Sequence, residues 1–332
     1  QDAMNLVTDI KYNADSNGGN ISFKVDRSSI RQGNAVIAIK DVSDAILWSW
    51  HVWVTDEDIN NVIEITNHQN VKYNFMPVNL GQCDGNTITY EERSCKVKFI
   101  AGDQSKEITI KQLANVIATG SNAPFYQWGR KDPLYPSNGM GNTTKIWYDK
   151  EGIPSTANPM KGTFSAGNDC IKNCILNPNL MHNRYNGDYT YYNLWSADNK
   201  TTSANDNPVN KTIYDPCPVG FKLPASNAFT GFTTTGESVS SSTQVNGTWS
   251  SSEKGWYFYT NSEKTQSIFF PALGYRSYST MRPGSIGTQG CFWSAHPVAK
   301  GNNYYLRTSS VDVQPTYMVD RGFGYALRPC QD

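Results

Sequence analysis

Apolar and polar positions alternate with a period of two over much of this chain, and helical periodicity is rare. Ile21, Phe23 and Val25 alternate with Ser22, Lys24 and Asp26, as in a half-buried strand. Residues 35–40 are more uniformly apolar and lead into the turn-forming Asp41-Val-Ser-Asp44. In residues 46–55, Trp48, Trp50, Val52 and Val54 then share one face, while Ser49, His51, Trp53 and Thr55 share the other. This pairing predicts a central hairpin near the N-terminus. Shorter runs at 71–75, 96–100 and 107–111 predict more strands in the first third, and runs at 256–259, 268–270, 304–307, 311–313 and 323–327 predict strands in the last. Short helices are expected at 226–232, after Pro224, and at 56–62, with 111–116 a weaker candidate.

Between residues 121 and 210 the chain is rich in Asn, Gly, Pro and Tyr and has little periodicity. A stretch this long without regular structure is uncommon in a compact domain, so its aromatics, including Trp128, Tyr189, Tyr191, Tyr192 and Trp195, are expected to pin it onto the sheets. Residues 1–19 run into Asn17-Gly-Gly-Asn20 and read as an arm or linker, leaving 20–332 as a single domain. No fixed-period repeat is present. These patterns together predict an α+β, β-rich fold.

Composition narrows the function classes. Lys plus Arg and Asp plus Glu number 29 each, and there is no basic run to follow a phosphate backbone, so nucleic acid is not an expected partner. The most apolar stretches, 35–39 and 45–54, are far shorter than the roughly 20 residues a spanning helix needs, and no membrane span is expected. The chain starts at Gln1 with no signal-peptide pattern, which reads as a mature or trimmed product.

Cysteines stand at 83, 95, 170, 174, 217, 291 and 330, without the paired C-x-x-C spacing of a zinc site, so a metal cluster is not expected. Sequence proximity pairs Cys83 with Cys95 and Cys170 with Cys174 in a tight loop. Cys217 is left for Cys330, and Cys291 has no mate. A Cys217–Cys330 bridge would close a loop of roughly 113 residues and contribute about 4–5 kcal/mol on chain-entropy grounds. The alternative is that all seven are reduced, small and apolar. The four histidines, 51, 68, 182 and 296, are isolated in sequence and fit no nucleophile or helical metal motif, and His51 reads as a sheet residue.

Several long motifs occur in order: Asn34-Ala-Val-Ile-Ala-Ile-Lys-Asp41, Leu47-Trp-Ser-Trp-His-Val-Trp-Val-Thr-Asp56, Tyr126-Gln-Trp-Gly-Arg-Lys-Asp-Pro133, Tyr214-Asp-Pro-Cys-Pro-Val-Gly-Phe221, Phe292-Trp-Ser294 and Gly324-Tyr-Ala-Leu-Arg-Pro-Cys330. Over most of residues 20–330 the chain resembles the Fibrobacter succinogenes major paralogous domain of exported Bacteroidetes proteins. It departs from that pattern at Pro329, where the family runs Arg directly into Cys. The resemblance implies a C-type-lectin-like fold with paired terminal strands, long loops and few short helices. It also implies an extracellular, surface-bound location on the outer membrane or a pilus, with pilus subunits as neighbours. Variable proteins of diversity-generating retroelements use the same fold, with their ligand-contacting residues in a C-terminal segment.

Here that segment is 294–321, whose Tyr, Asn, Ser, Arg and His content matches the chemistry of antibody loops. His296, Asn302, Asn303, Tyr304, Arg307, Asp312, Gln314, Tyr317 and Asp320 are the expected ligand contacts, with Trp293, Tyr305 and Tyr325 in the frame. The expected ligand is a protein or glycan on a host or bacterial surface, and no catalytic residue or cofactor is expected. The tripeptides of calcium-dependent lectins are missing. Two other readings are a structural pilin or envelope subunit and an oxidase of the sulfatase-activating kind that uses Cys291 with copper.

Overall fold

The computed structural model describes residues 5–85, 87–118, 122–134, 147–148, 153–155, 161–162, 168–182, 193–198, 203–298 and 301–332. Strands dominate it. The central hairpin forms where the alternation places it, Gly33–Lys40 against Ile46–Val54, with Ala35 opposite Val52 and Ile37 opposite Trp50. The Asp41 carboxylate accepts from the backbone N–H groups of Ser43 and Ala45 at 2.8 and 2.9 Å, so one side chain closes the turn.

Buried polar contacts tie this hairpin to residues 126–132. His51 sits between Asn34 Oδ1 and the Tyr126 hydroxyl, 2.8 Å from each. Ser49 donates to Asp132 at 2.8 Å, Lys131 Nζ reaches both Ser49 and Asp132, and the same ammonium lies 4.5 Å from the Trp48 ring. Gly129 turns this segment at φ +82°, where a Cβ would collide with Leu194.

The chain end is held by hydrogen bonding. Cys330–Gln331 pairs with Phe221–Lys222 on one side and meets Phe75 on the other, and Lys72–Phe75 continues the sheet to Ile63–Thr66. Beside it Arg328 is fully buried. It donates to Asn79 Oδ1, Pro77 O and Phe269 O at 2.7–2.8 Å and lies over the Phe270 ring.

A three-stranded antiparallel meander, Gly290–Pro297, Asn302–Thr308 and Val313–Asp320, separates two hydrophobic clusters. Phe292, Leu306 and Val313 belong to one cluster with Phe75, Phe229, Phe258 and Phe270. Cys291, Trp293 and Tyr305 belong to the other with Tyr126, Trp128 and Trp195. Gly290–Pro297 is therefore buried at every position, as a strand covered on both faces must be. Each large ring so enclosed contributes roughly 1.5–3 kcal/mol.

Several elements differ from expectation. Residues 8–13, placed in an arm, form the strand Thr8–Asn13, which pairs with Asn20–Lys24. The Gly18 and Gly19 pair that reads as linker punctuation is the hairpin turn, at φ +109° and +112°. Residues 56–62 form no helix: Asp58 caps Asn60 N at 3.1 Å, and seven residues with such a turn do not offset helix nucleation. Residues 111–116 belong instead to a ribbon in which Arg93–Ala101 pairs with Gln104–Gln112 and Thr87–Tyr90 with Asn115–Ala118. The short helix at 226–232 appears as the 3-10 helix Ser226–Phe232. Residues 311–312 lie in a turn, and the strand predicted there starts at Val313. Asn168–Leu176, unpredicted, is an α-helix. Trp128 and Trp195 pin the 121–210 stretch, buried with ring centroids 5.3 Å apart, whereas Tyr189, Tyr191 and Tyr192 lie outside the described residues.

No disulfide forms among the described residues. Cys330 packs in the Phe75 cluster and Cys217 in the Trp128 cluster, and both are buried free thiols. The end of the chain is closed by strand pairing, and the expected Cys217–Cys330 bridge is absent. Cys83 bonds with Asn34 and Gly81, while Cys95 is exposed on the ribbon opposite Ile110. Cys170 and Cys174 stand one turn apart on the unpredicted helix rather than in a tight loop.

Candidate functional site

The meander determines which of the nine expected contacts face solvent. Asn302–Thr308 is its middle strand, and residues 203–207 lie over one end of it. His296 is fully buried there, its Nδ1 3.2 Å from Ser226 N, and burial lowers its pKa to about 4 against the pull of Asp206. Asn303 is also fully buried: its amide accepts from Trp128 Nε1 at 3.0 Å and donates to Asn302 O at 2.9 Å. Tyr304 is only 8% exposed, and desolvation raises its pKa. These three belong to the frame, because strands covered on both faces at these positions leave no room for a ligand. Asn302 and Asp320 are half-buried opposite each other, and Asp320 caps Gly322 N at 2.8 Å.

The other four converge at the opposite end. Arg307 stands across from Gln314 on the edge strand. It donates to Asp312 Oδ2 at 2.8 Å and to Gln314 Oε1 at 3.2 Å, and its guanidinium lies 5.8 Å from the Tyr317 ring. Burial opposes the Arg307 charge, but the Asp312 carboxylate outweighs it and the pKa is raised. Asp312 Oδ1 is buried and has no hydrogen-bond partner among the described residues. Tyr317 is 45% exposed, and Val311 and Met318 beside it are exposed too.

An aromatic row runs inward from Tyr317, which meets Tyr305 edge-on at 5.7 Å. Tyr305 packs on Tyr325 at 4.6 Å, and Tyr325 leads to Phe323 and the half-buried Tyr275 and Tyr278. The buried middle of this row fixes rings that reach the surface at both ends. Tyr supplies large contact area with few rotors to freeze, and Arg, Asp and Gln supply directional hydrogen bonds. Chemically the face suits stacking and hydrogen bonding to a polar surface.

Across the strand pairing from Arg307 stands Cys291, whose thiol is pushed up to about 12 by burial although Arg307 acts the other way. At neutral pH it is a protonated, apolar side chain. A groove of about 610 Å³ lies elsewhere, between the hairpin and the helix, lined mainly by Ile46, Leu47, Ile171, Ile175, Leu194 and Tyr214. The structure also gathers Cys170, Cys174 and His182, with donor atoms all within 4.8 Å of one another. Sequence reasoning missed this group because its spacing is C-x₃-C rather than C-x-x-C. The available signal was the i, i+4 repeat of a helix, hidden in a stretch without periodicity.

The chain matches no family model, no curated protein and no solved structure.

Proposed function

We propose that this chain is a non-catalytic, cell-surface binding module of C-type-lectin-like architecture, of the adhesin kind, which presents the edge of its C-terminal meander to a protein or glycan. The observation that carries this reading is the Arg307, Asp312, Gln314 and Tyr317 cluster, which joins the end of the middle strand to the edge strand and is half-buried apart from the exposed Tyr317. The C-terminal strand paired beside Lys72–Phe75, and the motif resemblance, support the architecture. A rigid frame lowers the ordering cost of binding, so affinity depends on which side chains the edge carries.

The test is capture of the folded chain on a glycan array and a panel of surface proteins. Tyr317→Ala and Gln314→Ala are expected to cut capture by about tenfold or more, in keeping with the loss of an aromatic anchor, with Tm unchanged. Capture that survives both changes overturns the reading.

A second reading, a subunit docked in a larger envelope assembly, is favoured by the ribbon. Phe99, Ile100, Ile110 and Leu113 on it are 52–71% exposed, and apolar side chains so exposed mark interaction surfaces when they cluster.

A further inference from the structure

We propose that Cys170, Cys174 and His182 form a binding site for one thiophilic cation, with zinc the best match. The helix Asn168–Leu176 places Cys170 and Cys174 one turn apart on the same face. Asn177 ends that helix with a turn, Leu180 N donating to Asn177 O at 3.1 Å, and the chain returns as Met181–His182 so that the imidazole comes up against both thiols. Nδ1 lies 3.7 Å from Cys170 Sγ and Nε2 lies 2.8 Å from Cys174 Sγ.

Two thiolates and an imidazole supply three of the four ligands of tetrahedral zinc, with a water in the fourth position. Ideal bond lengths of about 2.3 Å to sulfur and 2.05 Å to nitrogen place these donors roughly 3.6 Å apart. The 3.7 Å pair already fits that spacing. The 2.8 Å pair must open as the ring turns one nitrogen onto the shared ion. Binding releases the two thiol protons to solvent and leaves a complex with no net charge from the ion and its ligands.

The site is braced from outside. Gln127, fully buried, accepts from His182 N through Oε1 at 2.9 Å and donates to His182 O through Nε2 at 2.9 Å. Arg130 donates to Gln127 Oε1 at 3.1 Å, to Pro178 O at 2.8 Å and to Leu180 O, which fixes the turn that delivers the histidine. Supports of this kind orient metal ligands, and losing one typically weakens affinity about 10–100-fold. The same Gln127 donates to Gly322 O at 2.6 Å. An ion here therefore ties the helix to the segment that leads into the C-terminal strand.

The experiment is a titration of the reduced, metal-free full chain with Zn²⁺ against a chromophoric chelator, with Co²⁺ as a spectroscopic probe. One equivalent of Zn²⁺ is expected with a Kd below about 1 μM, and Co²⁺ should give tetrahedral d–d bands with a sulfur-to-cobalt charge-transfer band. Cys174→Ser and His182→Gln should each weaken Zn²⁺ binding by about 100-fold or more, and Gln127→Ala by about 10–100-fold. Cys95→Ser should bind as the wild type does. No stoichiometric site in the wild-type chain, or a cobalt spectrum without sulfur charge transfer, overturns the proposal whether or not the variants fold. So does a site of unchanged affinity in folded Cys174→Ser or His182→Gln.

Discussion

His51 and His296 are held neutral by burial, each with a pKa lowered from 6.5 to about 4. His51 faces Asn34 and Tyr126, with Asp132 pulling weakly the other way. His296 faces Ser226, with Asp206 and residues 205 and 207 nearby. Because the folded values lie below the unfolded one, the unfolded chain takes up protons first on acidification. Stability is fully present above about pH 6.5 and is lost as the pH falls toward 4, by up to about 3 kcal/mol per histidine. His296→Asn keeps an oxygen acceptor for Ser226 N and removes one of these protonation sites. Melting curves between pH 7 and 4.5 should show a shallower acid loss in the variant than in the wild type, and parallel losses would remove the histidine from the account.

The central hairpin is an element whose pairing the sequence announces and whose docking it conceals. The alternation of 46–55 assigns Ser49 to a face with His51 and Trp53, but nothing in it says that Ser49 will meet Lys131 and Asp132. Both charged side chains are under 10% exposed, and desolvation lowers the Lys131 pKa although Asp132 acts to raise it. Asp132→Ala leaves a buried ammonium without its counter-charge and is expected to cost about 3–5 kcal/mol, whereas the Lys131→Met, Asp132→Ala pair should recover much of that. Urea unfolding followed by tryptophan fluorescence measures both. A single variant within about 1 kcal/mol of wild type would mean that the pair does not anchor the hairpin. The meander follows the same logic: Tyr304 and Tyr317 have equal claims as ligand contacts in sequence, and only their places on a middle and an edge strand separate them.

For the molecule as a whole, closure rests on the pairing of Cys330–Gln331 and on Arg328, not on a covalent link. Cys217 and Cys330 are 7% and 2% exposed, and burial raises both thiol pKa values, that of Cys330 to about 12. Protonated and shielded, they are poor nucleophiles at neutral pH. Unfolding in urea without reductant should make both available to alkylation, as read by peptide mass, and Tm should be the same with and without reductant. A mass shift that needs prior reduction would restore the bridge.

Read alone, the sequence determined what depends on neighbours a few residues apart. It determined the period-two strands, the hairpin at 33–54, the short helix at 226–232, and the Tyr- and Arg-bearing character of the C-terminal segment, because alternation and turn chemistry are local. Tertiary structure decided what depends on which segments meet. It buried His296, Asn303 and Tyr304 by covering their strands from both sides. It buried Cys217 and Cys330 as thiols in two hydrophobic clusters, and it brought His182 to two cysteines on a helix that no periodicity revealed. Burial and convergence are properties of packing between distant segments, and no window along the chain contains them.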